Sequence, residues 1–224
     1  MSNAKKDHLL DAIEIDPPRP AVASLIWLHG LGASGDDFVP IAGELQQLTQ
    51  LPLRFVFPQA PHRPVTINAG FVMPAWYDVI SFDREGEVDH EGIALAVSQV
   101  RALVLEEMER GFTTKQIFLA GFSQGAVIAL NALLASPEEF AGIIALSGYL
   151  PPRKAPSHAH TTPVFIGHGA SDEIVPAIYA QDSAATLEKA GYPVTLKVYR
   201  MAHSVCDEEV RDLAKWLQGV LAGS

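Results

Sequence analysis

The chain is 224 residues long, 48% hydrophobic and 19% charged, which describes one globular domain over residues 1–224 with a large core and excludes a disordered or fibrous chain. Its formal net charge of −10 would repel nucleic acid and anionic membranes, so no nucleic acid is expected as a partner, and no apolar run is long enough for stable membrane insertion. Cys206 is the single cysteine, which rules out an internal disulfide, and residues 1–16 hold no signal-peptide core, so the chain reads as cytoplasmic.

In chain order, residues 22–28 read as a buried strand that runs into a glycine-rich loop, His29-Gly30-Leu31-Gly32-Ala33-Ser34-Gly35. Residues 53–57 are the next strand, and the proline-rich stretch 58–64 reads as a loop. Helical spacing over 91–110 puts Ile93, Val97, Val100, Val104 and Met108 on one face, with Gly111 as the stop. Strands at 116–120 and 142–146 flank a helix-like run at 126–135, and 151–163 is a second proline-rich loop. Strands at 163–167 and 194–199 complete the buried set, with helices over 179–189 and 207–221. The last helix starts at Ser204-Val205-Cys206-Asp207, which fits a capping box, and carries Val210, Leu213, Leu217 and Leu221 on one stripe. Continuously apolar strands alternating with helices predict an α/β fold: a mostly parallel central sheet with helices on both faces. In such sheets the chemistry gathers at the carboxyl ends of the strands.

One of those strand ends is distinctive. Gly121-Phe122-Ser123-Gln124-Gly125 lies between a predicted strand and a predicted helix, which is the setting of a nucleophile elbow. A serine hydroxyl becomes a useful nucleophile only when a base accepts its proton, and the base needs an acid to hold its tautomer and its charge. On the α/β-hydrolase scaffold these partners follow the serine in the order acid, then histidine. Of the eight histidines, only His203 lies beyond every candidate acid, in the loop after strand 194–199. His29 and His168 sit beside glycines at strand ends, where hydrogen bonding to loop backbone accounts for them. Between Ser123 and His203, only Asp172 and Glu173 follow directly from a strand, so Asp172 is the candidate acid and Glu173 the alternate.

Acyl transfer also needs donors for the oxyanion. One is the backbone N–H of Gln124, next after the serine, and the loop after strand 22–28 supplies the other, assigned to Leu31. Its Gly30-Leu31-Gly32-Ala33-Ser34-Gly35 has the glycine spacing of a dinucleotide loop, a pattern of low specificity on its own, but the loop lacks the Gly-Lys-Ser/Thr ending of a phosphate loop. His158-Ala159-His160 offers two ligands where a metal site needs three or four, so no metal is expected.

With these residues in place, the chain resembles the carboxylesterase and acyl-protein thioesterase (phospholipase/carboxylesterase) family of small α/β hydrolases. The resemblance spans residues 24–217 and rests on Leu28-His29-Gly30-Leu31-Gly32, Pro58-Gln59-Ala60-Pro61, Ala75-Trp76-Tyr77-Asp78, the elbow, His168-Gly169 through Asp172 to Val175-Pro176, and Met201-Ala202-His203-Ser204. It implies a Ser123–Asp172–His203 triad, Leu31 and Gln124 as oxyanion donors, and no metal or cofactor. It further implies Leu31, Trp76 and Val175 as walls of the acyl site, with Phe71 and Met73 as weaker candidates. The partner it implies is a small ester or thioester, and the assembly a monomer or weak homodimer.

Two positions depart from the family pattern, Ala126 and Ala202, where many members have glycine. With no insertion that could form a large lid, the expected substrates carry short or medium acyl chains. Acyl-protein thioesterase, lysophospholipase, peptidase or lactone-hydrolase activity on the same scaffold stays open, as does a catalytically silent binding module.

Overall fold

A computed structural model describes residues 10–81, 86–151 and 161–223 of the chain. Among the described residues, nine strands are ordered as β1 (Ala12–Ile15), β2 (Ala23–Leu28), β3 (Leu53–Pro58), β4 (His62–Val65), β5 (Phe71–Pro74), β6 (Ile117–Phe122), β7 (Gly142–Leu146), β8 (Val164–Gly169) and β9 (Val194–Tyr199). Five α-helices accompany them: α1 (Val39–Thr49), α2 (His90–Glu109), α3 (Gln124–Ala135), α4 (Ala177–Lys189) and α5 (Asp207–Ala222). Seven strands form one sheet in the order β1-β3-β2-β6-β7-β8-β9, parallel throughout except for β1, which runs antiparallel to β3.

The side-chain alternation of each strand divides the core in two. Ile26, Leu28, Leu119, Ile143 and Ile166 face α2, α3 and α4, where Val100, Val104, Val127 and Leu187 meet them. Leu25, Trp27, Phe55, Phe57, Phe118, Ile144 and Phe165 face the other way, against Ile41 and Leu45 of α1 and Val210, Leu213 and Leu217 of α5. Among the described residues, no helix is long and apolar enough to cross a membrane.

The predicted α/β alternation is present, with several differences of detail. The prolines at 58–64 do not keep that whole stretch a loop, because β4 and β5 pair as an isolated two-stranded ribbon in which Pro64 and Pro74 need give no ladder hydrogen bond to the main sheet. β9 is an edge strand with Lys197 and Val198 exposed, so its apolar reading overstated its burial. Met108 is 37% exposed; the buried stripe of α2 turns instead through Ala96, Leu103 and Glu107. Ser204 does not cap α5: Cys206 holds that position without a side-chain bond, and Asp207, Glu208 and Glu209 in the first turn complement the helix dipole. Neither β1 nor α1 is anticipated by the sequence pattern. The second proline-rich loop, including His158 and His160, lies outside the described residues apart from its ends.

The antiparallel edge is held by charge. Arg54 on β3, 2% exposed, bonds Glu107 of α2, Glu14 of β1 and Asp16, at 2.6 to 3.1 Å. Ser24 Oγ donates to the same Glu107 at 2.6 Å, and Arg110 Nη2 grips both oxygens of Glu14. Burial opposes the Arg54 charge, but the three carboxylates outweigh it and hold its pKa above the ordinary arginine value. Removing one partner of such a buried pair costs far more than the pair contributes, because the other charge is left uncompensated. Glu107→Ala is therefore expected to destabilise the protein by about 3 kcal/mol. Urea denaturation should show a lower midpoint at unchanged slope.

Candidate active site

The turn from β6 into α3 is set by two close approaches. A side chain at Gly121 would place its Cβ 2.3 Å from the Gly125 carbonyl, and one at Gly125 would sit 2.2 Å from the Leu28 carbonyl oxygen. Only glycine fits either position, which is why the sequence has the spacing it has. Between them Ser123 takes φ 54° and ψ −116°, a strained conformation for a residue with a side chain, costing about 1–3 kcal/mol. The turn is pinned to the sheet by Ser123 N–H donating to Leu146 O at 2.8 Å.

The structure brings Ser123, His203 and Asp172 into one line. Ser123 Oγ lies 2.9 Å from His203 Nε2, and His203 Nδ1 lies 2.7 Å from Asp172 Oδ2. Asp172 is buried, and its second oxygen, Oδ1, accepts the N–H groups of Ile174 and Val175 at 2.9 and 2.8 Å. One carboxylate thus shapes the turn after β8 with one oxygen and orients the histidine with the other. Glu173, the alternate acid, points to solvent.

The glycine-rich loop after β2 arches over the same turn. Its Gly32 N–H goes to Pro74 O and its Ala33 N–H to Gly30 O, at 2.9 and 3.2 Å, leaving the Leu31 N–H with no backbone acceptor among the described residues. The Gln124 N–H opens α3, where first-turn donors have no partner within the helix. Leu31, Ser123 and Gln124 all line one cleft, at the N-terminal, positive end of α3.

Four of the sequence motifs interlock around this point through their side chains. Gln124 Oε1 accepts the Trp76 N–H, and Gln124 Nε2 donates to Tyr77 O, both at 2.8 Å. Trp76 Nε1 donates to His29 O at 2.8 Å. His29 itself is fully buried: Nδ1 donates to Gly30 O and Nε2 accepts the Ala60 N–H. Burial pushes its pKa below the ordinary histidine value, so it is neutral and structural, as read from the sequence. His168 is likewise buried, with Nε2 donating to Val175 O at 2.8 Å and its pKa pushed down by burial.

The cleft beside Ser123 is lined by Leu31, Tyr77, Val79, Ile80, Val127, Tyr149 and Val175, with Asp78 and Asp89 at one side, and has a volume of about 40 Å³. Leu31 and Val175 are among the lining residues; Trp76 is not, being fully buried with its indole N–H on His29 O. Phe71, 71% exposed on the β4–β5 ribbon, and Met73 also lie outside the lining. Tyr77, Val79, Ile80, Val127 and Tyr149 were missed; Tyr77 is the one with a sequence signal, since it adjoins Trp76 in a recognisable motif. Asp78 and Asp89 are engaged in structure, the first accepting Thr66 N–H and Oγ, the second capping α2 through the Gly92 N–H. Ala126 and Ala202 avoid the left-handed backbone region, so alanine fits both without strain.

The sequence profile of the phospholipase/carboxylesterase family matches residues 11–221. The chain is 35% identical to acyl-protein thioesterase 1 of Kluyveromyces lactis over 95% of this chain and 98% of that relative. It is 36% identical to acyl-protein thioesterase 1 of Saccharomyces cerevisiae over 91% of this chain and 95% of that relative. Among solved structures, Arabidopsis thaliana SOBER1 is similar with a TM-score of 0.83 and 31% identity, covering 89% of this chain and 99% of that one.

Beneath the His203 loop lies a carboxyl that no motif announced. Glu209, in the first turn of α5, is fully buried against Gly167 of β8, and neither oxygen has a hydrogen-bond partner among the described residues. Burial raises its pKa to about 8. The folded state therefore holds a proton that the unfolded chain releases near pH 4.5, and stability falls as pH rises from there until the folded group ionises near pH 8. The melting temperature of the wild-type protein should decline between pH 5 and pH 9 by the equivalent of a few kcal/mol. In Glu209→Gln that part of the slope should vanish; thermal melts of the two proteins across this range make the comparison.

Proposed function

We propose a double-displacement mechanism on Ser123 for this chain, which belongs to the phospholipase/carboxylesterase family and is a hydrolase of the ester and thioester kind. The observation that carries the proposal is the unbroken line from Ser123 Oγ through His203 to Asp172, at 2.9 and 2.7 Å, built on a backbone turn that no structural need explains.

In the first half, Ser123 Oγ attacks the carbonyl carbon as His203 Nε2 takes its proton. The Leu31 and Gln124 N–H groups receive the oxyanion, a contribution typically worth two to three powers of ten in rate per donor. The tetrahedral species collapses, the bond to the alcohol or thiol breaks, and the proton on His203 passes to that leaving group. In the second half a water attacks the acyl-enzyme, giving its proton to His203, and the acid departs as Ser123 recovers the proton. Asp172 holds Nδ1–H throughout and stabilises the imidazolium. No step needs a metal or cofactor.

The cleft argues for a small acyl group. A single water needs about 10–15 Å³, so 40 Å³ has room for about three groups of that size, in a cleft that opens to solvent. Short to medium acyl chains are the proposed substrates. Thioesters are proposed alongside esters because the same attack and the same oxyanion serve both, and because the named yeast relatives are acyl-protein thioesterases.

A p-nitrophenyl ester series from acetate to laurate tests both parts. Wild-type turnover should peak at short or medium chains, and Ser123→Ala should lower kcat by about 10⁴-fold or more. Tyr149→Ala should move the peak to longer chains by opening the cleft. Undiminished turnover in the serine variant would end the mechanism, and a wild-type peak at laurate would end the chain-length assignment.

A further inference from the structure

On the mechanism just given, His203 must keep its ring plane while its partners change. Ser123 Oγ holds Nε2 only until it bonds the acyl carbon; after that Nε2–H has to point at the leaving group. The bond from Nδ1 to Asp172 Oδ2 fixes one ring atom, yet the ring can still swing about that bond. A contact against the ring itself has to supply the second constraint.

We propose that Phe122 is the positioning residue that supplies it: its ring lies 4.9 Å from the His203 ring, centroid to centroid, with 50° between the planes. At that separation an aromatic ring also favours the positive charge that His203 acquires as it takes the serine proton. Nothing in the turn calls for an aromatic residue at 122, since Gly121, Ser123 and Gly125 set its backbone.

Phe122 is itself held from two sides. Phe38 lies behind it at 5.7 Å, and the fully buried Trp27 stands behind Phe38 at 5.7 Å, so the ring is backed by a column anchored in the core. On its other flank lies Gly30, where an added Cβ would come within 3.2 Å of Phe122 Cδ1. The absence of a side chain there lets the ring rest against the loop that carries Leu31. One ring thereby touches the base and the oxyanion loop together.

The inference rests on the triad reading, and the experiment separates the two. Wild type, Ser123→Ala, Phe122→Leu and Phe122→Tyr are compared on a short p-nitrophenyl ester. Phe122→Leu keeps an apolar side chain but loses the ring, and should lower kcat by about fivefold at unchanged KM. Phe122→Tyr keeps the ring and should stay within about twofold of wild type. Should the leucine variant fail to fold by circular dichroism, Phe38→Leu removes the backing ring and should show a smaller kcat loss, again at unchanged KM. Wild-type kcat in folded Phe122→Leu, or an equal loss in the tyrosine variant, or a loss carried by KM, would overturn the role of Phe122 while an inactive Ser123→Ala keeps the mechanism. Undiminished turnover in Ser123→Ala would overturn both.

Discussion

The turn between β6 and α3 is the constraint on which the site depends. The chain must leave the centre of a parallel sheet and enter a helix within one residue, and it can do so only because Gly121 and Gly125 allow backbone to pass backbone at distances no Cβ tolerates. The strain falls on Ser123, whose side chain is lifted away from the sheet as a result. Because β6 is the middle strand, the loops after β2, β7 and β8 all end within reach of that side chain. The position of the hydroxyl and the convergence of its partners are thus one geometric fact.

Around the turn, single groups serve two structural ends. Asp172 divides its oxygens between the turn that contains Val175, a wall of the cleft, and the ring of His203. Gln124 ties the Trp76–Tyr77 backbone with its side chain while its backbone opens α3 next to the serine. Buried His29, held neutral, joins the glycine-rich loop to the segment at Ala60. Such sharing explains why the motifs are short and separated: each supplies one face of a polar shell that closes only when all are folded.

Two buried charged or polar groups stand apart from this economy. Arg54 is matched by three carboxylates from two parts of the chain, β1 with Asp16 and α2, and so it fixes the antiparallel edge strand to the body of the sheet. Glu209 is matched by nothing and stays protonated by virtue of its burial. It joins α5, the helix that follows His203, to β8, the strand whose end precedes Asp172. Retaining strain and an unpaired carboxyl near a site, while the rest of the core is well packed, is the pattern expected where structure serves chemistry.

The sequence alone determined the α/β alternation, because apolar runs and helical spacing are local properties of the chain. It likewise singled out Ser123 as the candidate nucleophile, through glycines required by a local turn, and Asp172 and His203 as its candidate partners, through their order after it. The tertiary structure decided what depends on neighbours distant in sequence. It turned Trp76 inward, since its indole N–H is satisfied by the His29 carbonyl just after β2, and it put Tyr149 and Val127 on the cleft wall, where no periodicity marks them. It made β9 an edge and β1 an antiparallel strand, since edge position is a matter of sheet order and not of composition. It set Phe122 against His203 across 81 positions of chain, a contact fixed by the convergence of strand ends and invisible in any local pattern.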